Sequence, residues 1–146
     1  MLSVSLVAMF AAILSGAERT QTCQITKSLR GMSEAVAVNN QYNGSSYKTY
    51  LIRNAARDRN GLLESSIKAE LIPERWGFDL NLPSGKRFGN VGNESGKWII
   101  SAYPGFMDAC ADHYVTLRRV AAGRMDVYDG LTKIGSIDRF PFQEIE

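Results

Sequence analysis

The chain has 146 residues, of which 45% are hydrophobic and 22% charged, the make-up of one domain able to bury a core. Its formal charge of +2 is too small to imply a nucleic-acid partner, since such proteins concentrate basic charge on one face. Two cysteines and one histidine exclude a structural zinc site built from about four N/S ligands, and the reading assigns no metal and no cofactor.

Residues 1–17 carry no charged side chain, and Val4 to Leu14 is apolar apart from Ser5. As the h-region of a secretory signal the run ends on the small residues Ser15, Gly16 and Ala17, without a basic n-region. As a membrane anchor it is shorter than the ~20 apolar residues that span a bilayer. Either role places the domain outside the cytoplasm. Neither proline nor glycine interrupts the chain from Ala17 until Gly31, and Ile25, Leu29, Met32 and Val36 recur at helical steps. This pattern predicts one helix over residues 2–38, apolar all round in its first half and amphipathic in its second. Asn39-Asn40-Gln41 and Asn43-Gly44-Ser45-Ser46 end it.

Residues 47–73 read as short helices, broken by Asp58-Arg59-Asn60-Gly61 and closed by Pro73. Phe78, Leu80 and Leu82 alternate with Asp79 and Asn81, as in a half-buried strand. Residues 84–96 read as a loop and 97–103 as a second strand, turned by Pro104-Gly105. Met107, Cys110, Tyr114, Leu117 and Ala121 fall at helical spacing up to a C-cap at Gly123. Residues 125–127 and 134–137 make short strands around Asp129-Gly130. The expected class is α+β: a long N-terminal hydrophobic helix packed on a small antiparallel sheet with short helices. An assembly segment over residues 1–24 precedes a globular domain over 25–146.

Enzyme chemistry finds little support. Gly92-Asn93-Glu94-Ser95-Gly96-Lys97 has three residues between its glycines where a phosphate loop has four, and Trp98 replaces the magnesium-binding hydroxyl. A hairpin loop is the better reading. Cys110 and His113 stand one helical turn apart, so a thiolate–imidazole pair is conceivable, but Cys110 sits on the apolar stripe, where thiols are inert. Arg53, Arg57 and Arg59 form one basic cluster, with Arg118, Arg119 and Arg124 elsewhere; solvated faces are the default and a binding patch the alternative. Asn43-Gly44-Ser45 and Asn93-Glu94-Ser95 match the N-glycosylation sequon.

The apolar stretch Val4 to Ile13 is similar to the start of the pilin helix. Leu71-Ile72-Pro73 followed by Trp76-Gly77, and Trp98 to Tyr103 followed by Phe106 and Asp108-Ala109-Cys110, resemble later pilin passages. In this order the motifs resemble a type IV pilin of the b class, in a divergent or minor form. The chain departs from that family in having no basic leader, no glutamate beside Ser3 and Ser5, and no cysteine after Cys110. The resemblance implies a non-enzymatic structural subunit that polymerises through Leu6, Val7, Phe10, Ile13 and Leu14, with adhesion, conjugation or surface attachment as its role. Its partners would be other pilin subunits, the inner membrane before assembly and the pilus assembly machinery, with no nucleic acid. Its location would be the inner membrane, then an extracellular pilus. The alternative is a secreted or periplasmic binding domain cleaved near Ala17. Cys110 is expected to face the core, against the long helix. Cys23 is not expected to be its disulfide partner, since it lies about 200° around that helix from Ile25.

Overall fold

The structure, a computed structural model, describes residues 22–55, 59–60, 66–95 and 97–142. Among them a short helix α1 (Gln24–Ser28) leads into β1 (Gly31–Tyr42), β2 (Ser45–Asn54), β3 (Ile67–Glu74), β4 (Gly77–Asn81), β5 (Arg87–Glu94) and β6 (Lys97–Ala102). A single turn of helix, α2 (Pro104–Met107), precedes β7 (Val115–Ala121), β8 (Arg124–Asp129) and β9 (Thr132–Asp138). Each strand pairs antiparallel with the next, and β9 closes the sheet against β1. Because every strand reverses direction, the ninth runs the same way as the first, so the closing pair is parallel: Gly31 lies opposite Gly135 and Glu34 opposite Asp138.

This closed barrel overturns the α+β expectation and, with it, the resemblance to a type IV pilin. Where one helix was expected over residues 2–38, the described part is the five-residue α1 followed by a twelve-residue strand. The helical spacing of Ile25, Leu29, Met32 and Val36 is a coincidence of position. Ile25 and Leu29 are buried, but Met32 is 47% exposed, and inside β1 the fully buried side chains are Ser33 and Ala35, two apart. Gly31, at φ 93°, takes a left-handed conformation that stops the helix before the strand starts. Likewise Asn43 (φ 51°) and Gly44 (φ 80°) do not end a helix; they form the tight turn of the β1–β2 hairpin, whose two central positions need positive φ. Residues 47–73, read as helices, hold β2 and β3, and the expected loop over 84–96 holds β5. The helix expected from Met107 to Gly123 ends at Met107. Its C-terminal half is β7, because Val115 and Leu117 point inward while Met107 and Tyr114 are about half exposed. Strands β4, β6, β8 and β9 stand where strands were expected, β4 from its alternation and β8 and β9 from the turn at Asp129-Gly130.

The assembly residues Leu6, Val7, Phe10, Ile13 and Leu14 lie outside the described residues, as does nearly all of the segment 1–24. No described helix is long and apolar enough to cross a membrane, and the fold is not a pilin's, so the expectation of inner-membrane anchoring followed by a pilus is overturned.

The barrel interior is solid. Ala35, Ile52, Ala69, Leu71, Leu80, Val91, Ile100, Val115, Leu117, Met125, Val127 and Ile137 fill it, each less than 10% exposed. Full burial of the larger of these side chains, from valine upward, stabilises by about 1.5–3 kcal/mol apiece. Gly89 is part of the design: a Cβ there would run into the backbone carbonyl of Ser101 on the neighbouring strand. One end of the barrel is sealed by an aromatic stack, in which Phe78 meets Phe140 edge-on at 5.7 Å and Phe140 meets Phe142 at 5.5 Å. The other end is sealed by α1, whose Ile25 and Leu29 enter the core. Gly135 makes room for it, since a Cβ at that position would meet the carbonyl of Leu29.

The outer wall is polar. Arg53 pairs with Glu34, Arg87 with Asp79, Arg124 with Asp138 and Lys133 with Asp126. An apolar inside and a charged outside is the reverse of a lipid-facing barrel, which carries an apolar outer band.

Candidate functional site

The functional side chains gather at the end sealed by α1. Cys23 caps α1 with its backbone, and Thr26 Oγ1 donates to the Cys23 carbonyl at 2.7 Å. Cys23 is bridged to Cys110, with Cα atoms 4.7 Å apart. The pairing corrects the expectation that these cysteines stay separate. That expectation placed Cys23 partway along an extended helix, whereas the chain folds α1 across the barrel mouth, beside the segment that follows α2. Cys110 is partly buried against the core cluster, and among the described residues no long helix covers it. Its thiol is consumed by the bridge, which removes the conceivable thiolate–imidazole pair with His113. His113 instead holds Asp129 through Nδ1 at 2.6 Å, and the other Asp129 oxygen accepts from the Tyr114 backbone N–H at 3.3 Å. This contact ties the post-α2 segment to the β8–β9 turn.

Beside α1 lies an open crevice of about 680 Å³. It is lined by Lys27 of α1, Lys68 of β3 and Lys86 of the β4–β5 turn, together with Ser28, Ser66, Ser84, Asn54 and Gln24. Ile67, Leu82, Pro83 and Phe106 supply an apolar wall. The local sequence explains the placement. Phe88 is an extra residue in the β4–β5 pairing, where Leu80 faces Gly89 and Asn81 faces Arg87, and this bulge turns Phe88 inward to stack on Phe106 at 4.9 Å. Lys86, two residues back, then lies over the Phe106 ring at 5.5 Å. Lys68 Nζ donates to the Arg30 carbonyl at 2.6 Å, so the α1–β1 junction fixes it, and burial lowers its pKa from the usual lysine value.

The described arginines among those singled out by the sequence do not converge. Arg53 and Arg124 are ion-paired, Arg118 lies over Tyr128 at 4.4 Å and Arg119 over Phe142 at 3.7 Å. Arg57 lies outside the described residues, and Arg59 sits in a turn. The loop that imitates a phosphate motif is the β5–β6 hairpin, as its spacing implied. Both sequons fall at the aromatic-sealed end, Asn43 at one hairpin tip and Asn93 near another.

At that same end the β1–β2 hairpin projects as an arm. β9 reaches β1 only as far as Glu34 and β3 reaches β2 only as far as Tyr50, so the pairs from Val38–Thr49 to Tyr42–Ser45 have no strand beside them among the described residues. Asn40 donates to Thr49, and Thr49 to Glu70 of β3 at 2.8 Å, which pins the base of the arm.

Sequence reasoning missed the lysine crevice. Its three cations sit in three separate elements, and no local motif joins them.

Among the described residues, the fold and site define a closed, nine-stranded β-barrel with a disulfide-pinned helical plug. No family model matches the chain, and no match is found among the curated proteins or the solved structures.

Proposed function

We propose that this chain is an exported, non-enzymatic binding module. The observation that carries the reading is the Cys23–Cys110 bridge, because disulfides form and persist in oxidising compartments and are rare in reducing ones. The apolar run ending on Ser15-Gly16-Ala17 supports export independently, and cleavage near Ala17 leaves Cys23 on the mature chain to make its bridge. A rigid barrel sealed at both ends favours binding over catalysis. Its interior is filled, so ligands are met on rims and projecting loops, where a scaffold of this kind presents variable side chains.

Expression of the full chain in a host with an export pathway, followed by fractionation and intact-mass spectrometry without reductant, tests the reading. The expected product lies in the exported fraction, starts near Glu18 and has lost the two hydrogens of one disulfide. A cytosolic, full-length product whose two thiols both react with an alkylating reagent would overturn it.

A further inference from the structure

On the outer wall Arg53, Arg87, Arg124 and Lys133 have carboxylates beside them, while Arg118 and Arg119 lie on aromatic rings. In the crevice beside α1, Lys86 lies over the Phe106 ring and Lys68 is held by the Arg30 carbonyl, with no carboxylate beside either among the described residues. Lys27, Lys68 and Lys86 line it together, and among the described residues that line it there is no carboxylate. None of the three forms an ion pair with a described residue, although α1, β3 and the β4–β5 turn bring them to one place. Like charges gathered with no counter-charge among the described residues repel one another, and an anion would relieve that repulsion.

The geometry points to a binding site here for a small phosphate monoester with an apolar body, its phosphate held by Lys27, Lys68 and Lys86 and its body against Ile67, Leu82 and Phe106. The inference rests on the binding-module reading and names its ligand class. Several features select a phosphate. Ammonium groups act as compact point charges, suited to a tetrahedral oxyanion approached from several sides, whereas the planar fork of arginine suits flat, bidentate carboxylates. A dianion answers more of the excess charge than a monocarboxylate does. Ser28, Ser66 and Ser84 ring the same crevice with hydroxyl donors. Lys68 is already held by the Arg30 carbonyl, so one arm of the site costs little to order. The partial burial that lowers its pKa has stripped water from this ammonium, and a phosphate oxygen would replace that water. An apolar wall adjoining the cations accounts for a ligand larger than free phosphate.

The test is calorimetric titration of the disulfide-bonded protein with phenyl phosphate, inorganic phosphate and benzoate, in a low-salt buffer free of phosphate. Phenyl phosphate should bind saturably at one site, with inorganic phosphate and benzoate each weaker by about tenfold. Lys27→Gln and Lys86→Gln should each weaken phenyl phosphate by about three- to tenfold, and the double variant by more than ~30-fold. Melting without ligand should change little, because both side chains are exposed and form no ion pair with a described residue, and relief of their mutual repulsion offsets the loss of the Lys86–Phe106 contact. Lys97→Gln, at the opposite end of the barrel, should bind as the wild type does. No saturation by about 10 mM phenyl phosphate, equal affinity for benzoate, or undiminished binding by the double variant would each overturn the assignment. Sedimentation with anionic phospholipid vesicles but no response to phenyl phosphate would overturn it in favour of a membrane surface. Failure here leaves the export result untouched, since the mass measurement reads that separately.

Discussion

Removing the Cys23–Cys110 bridge should cost this barrel a large part of its stability, and the size can be worked from the separation of 87 residues that it spans. In the chain-entropy account a cross-link of that separation restricts the unfolded ensemble by about 4.5 kcal/mol at 25 °C. The native state loses little directly when both cysteines become alanine, because the rest of the plug remains: Ile25 and Leu29 are 1% and 2% exposed, and each contributes roughly 2 kcal/mol by burial. A five-residue helix has no stability of its own in water, so α1 depends on that burial and on the bridge. The expected loss in the Cys23→Ala/Cys110→Ala double variant is therefore about 3–4.5 kcal/mol, out of the ~5–15 kcal/mol typical of a domain. Urea unfolding with linear extrapolation measures it directly, and the slope should rise slightly as the uncrosslinked chain expands. Reduction of the wild type should give the same midpoint as the double variant. The Leu29 amide, which donates to the Ile25 carbonyl at 2.9 Å, should lose hydrogen-exchange protection more than amides in the middle of β8. A loss below about 1 kcal/mol would refute the reasoning, for it would mean that the unfolded chain is restricted without the bridge.

Gly89→Ala should destabilise by about 2–4 kcal/mol, because the new methyl meets the Ser101 carbonyl and β5 must move away from β6; an unchanged urea midpoint would contradict this packing. The Ser136 hydroxyl, donating to Asp126 at 2.6 Å, is the main cause holding that carboxyl below its ordinary pKa, with Lys133 adding to it against the opposing effect of burial. A depressed folded-state pKa adds stability that is present above the unfolded value of about 3.9 and lost as pH falls through the folded value. Ser136→Ala should raise the Asp126 pKa in an NMR titration, cost about 1 kcal/mol near neutrality and flatten the acid-side loss of stability; an unmoved Asp126 titration would contradict it.

The strands that could be read from sequence are those in which apolar and polar side chains alternate, even where the polar ones are buried against neighbouring groups. Phe78 and Leu80 alternate with Asp79 and Asn81, and Met125 and Val127 flank Asp126, so period two survives in the text of the chain. The misread strands lack that contrast. β1 carries Ala35, Val36, Ala37 and Val38 in a row, of which only Ala35 is fully buried, since its outer face is half covered and its far half leaves the barrel as an arm. In β7 the inward Leu117 happens to fall at helical spacing from Cys110 and Tyr114, and the β-branched Val115, Thr116 and Val120 were the better guide. The basic side chains were misjudged for a related reason. Arginines clustered in sequence were noticed, although pairing and ring contacts disperse them, while three lysines from distant segments were not.

Local chemistry alone determined the turn at Asp129-Gly130, the β5–β6 hairpin turn and the strands around Phe78, Trp98, Val127 and Ile137. Each of these depends on neighbours a few residues apart, whose φ preferences and side-chain alternation are written in order along the chain. Closure of the barrel, the parallel seam of β1 with β9, the bridge from Cys23 to Cys110 and the meeting of Lys27, Lys68 and Lys86 were decided only by tertiary structure. They join residues far apart in sequence, and closing the sheet buries one face while pairing its two edge strands, β1 and β9, at their plug end.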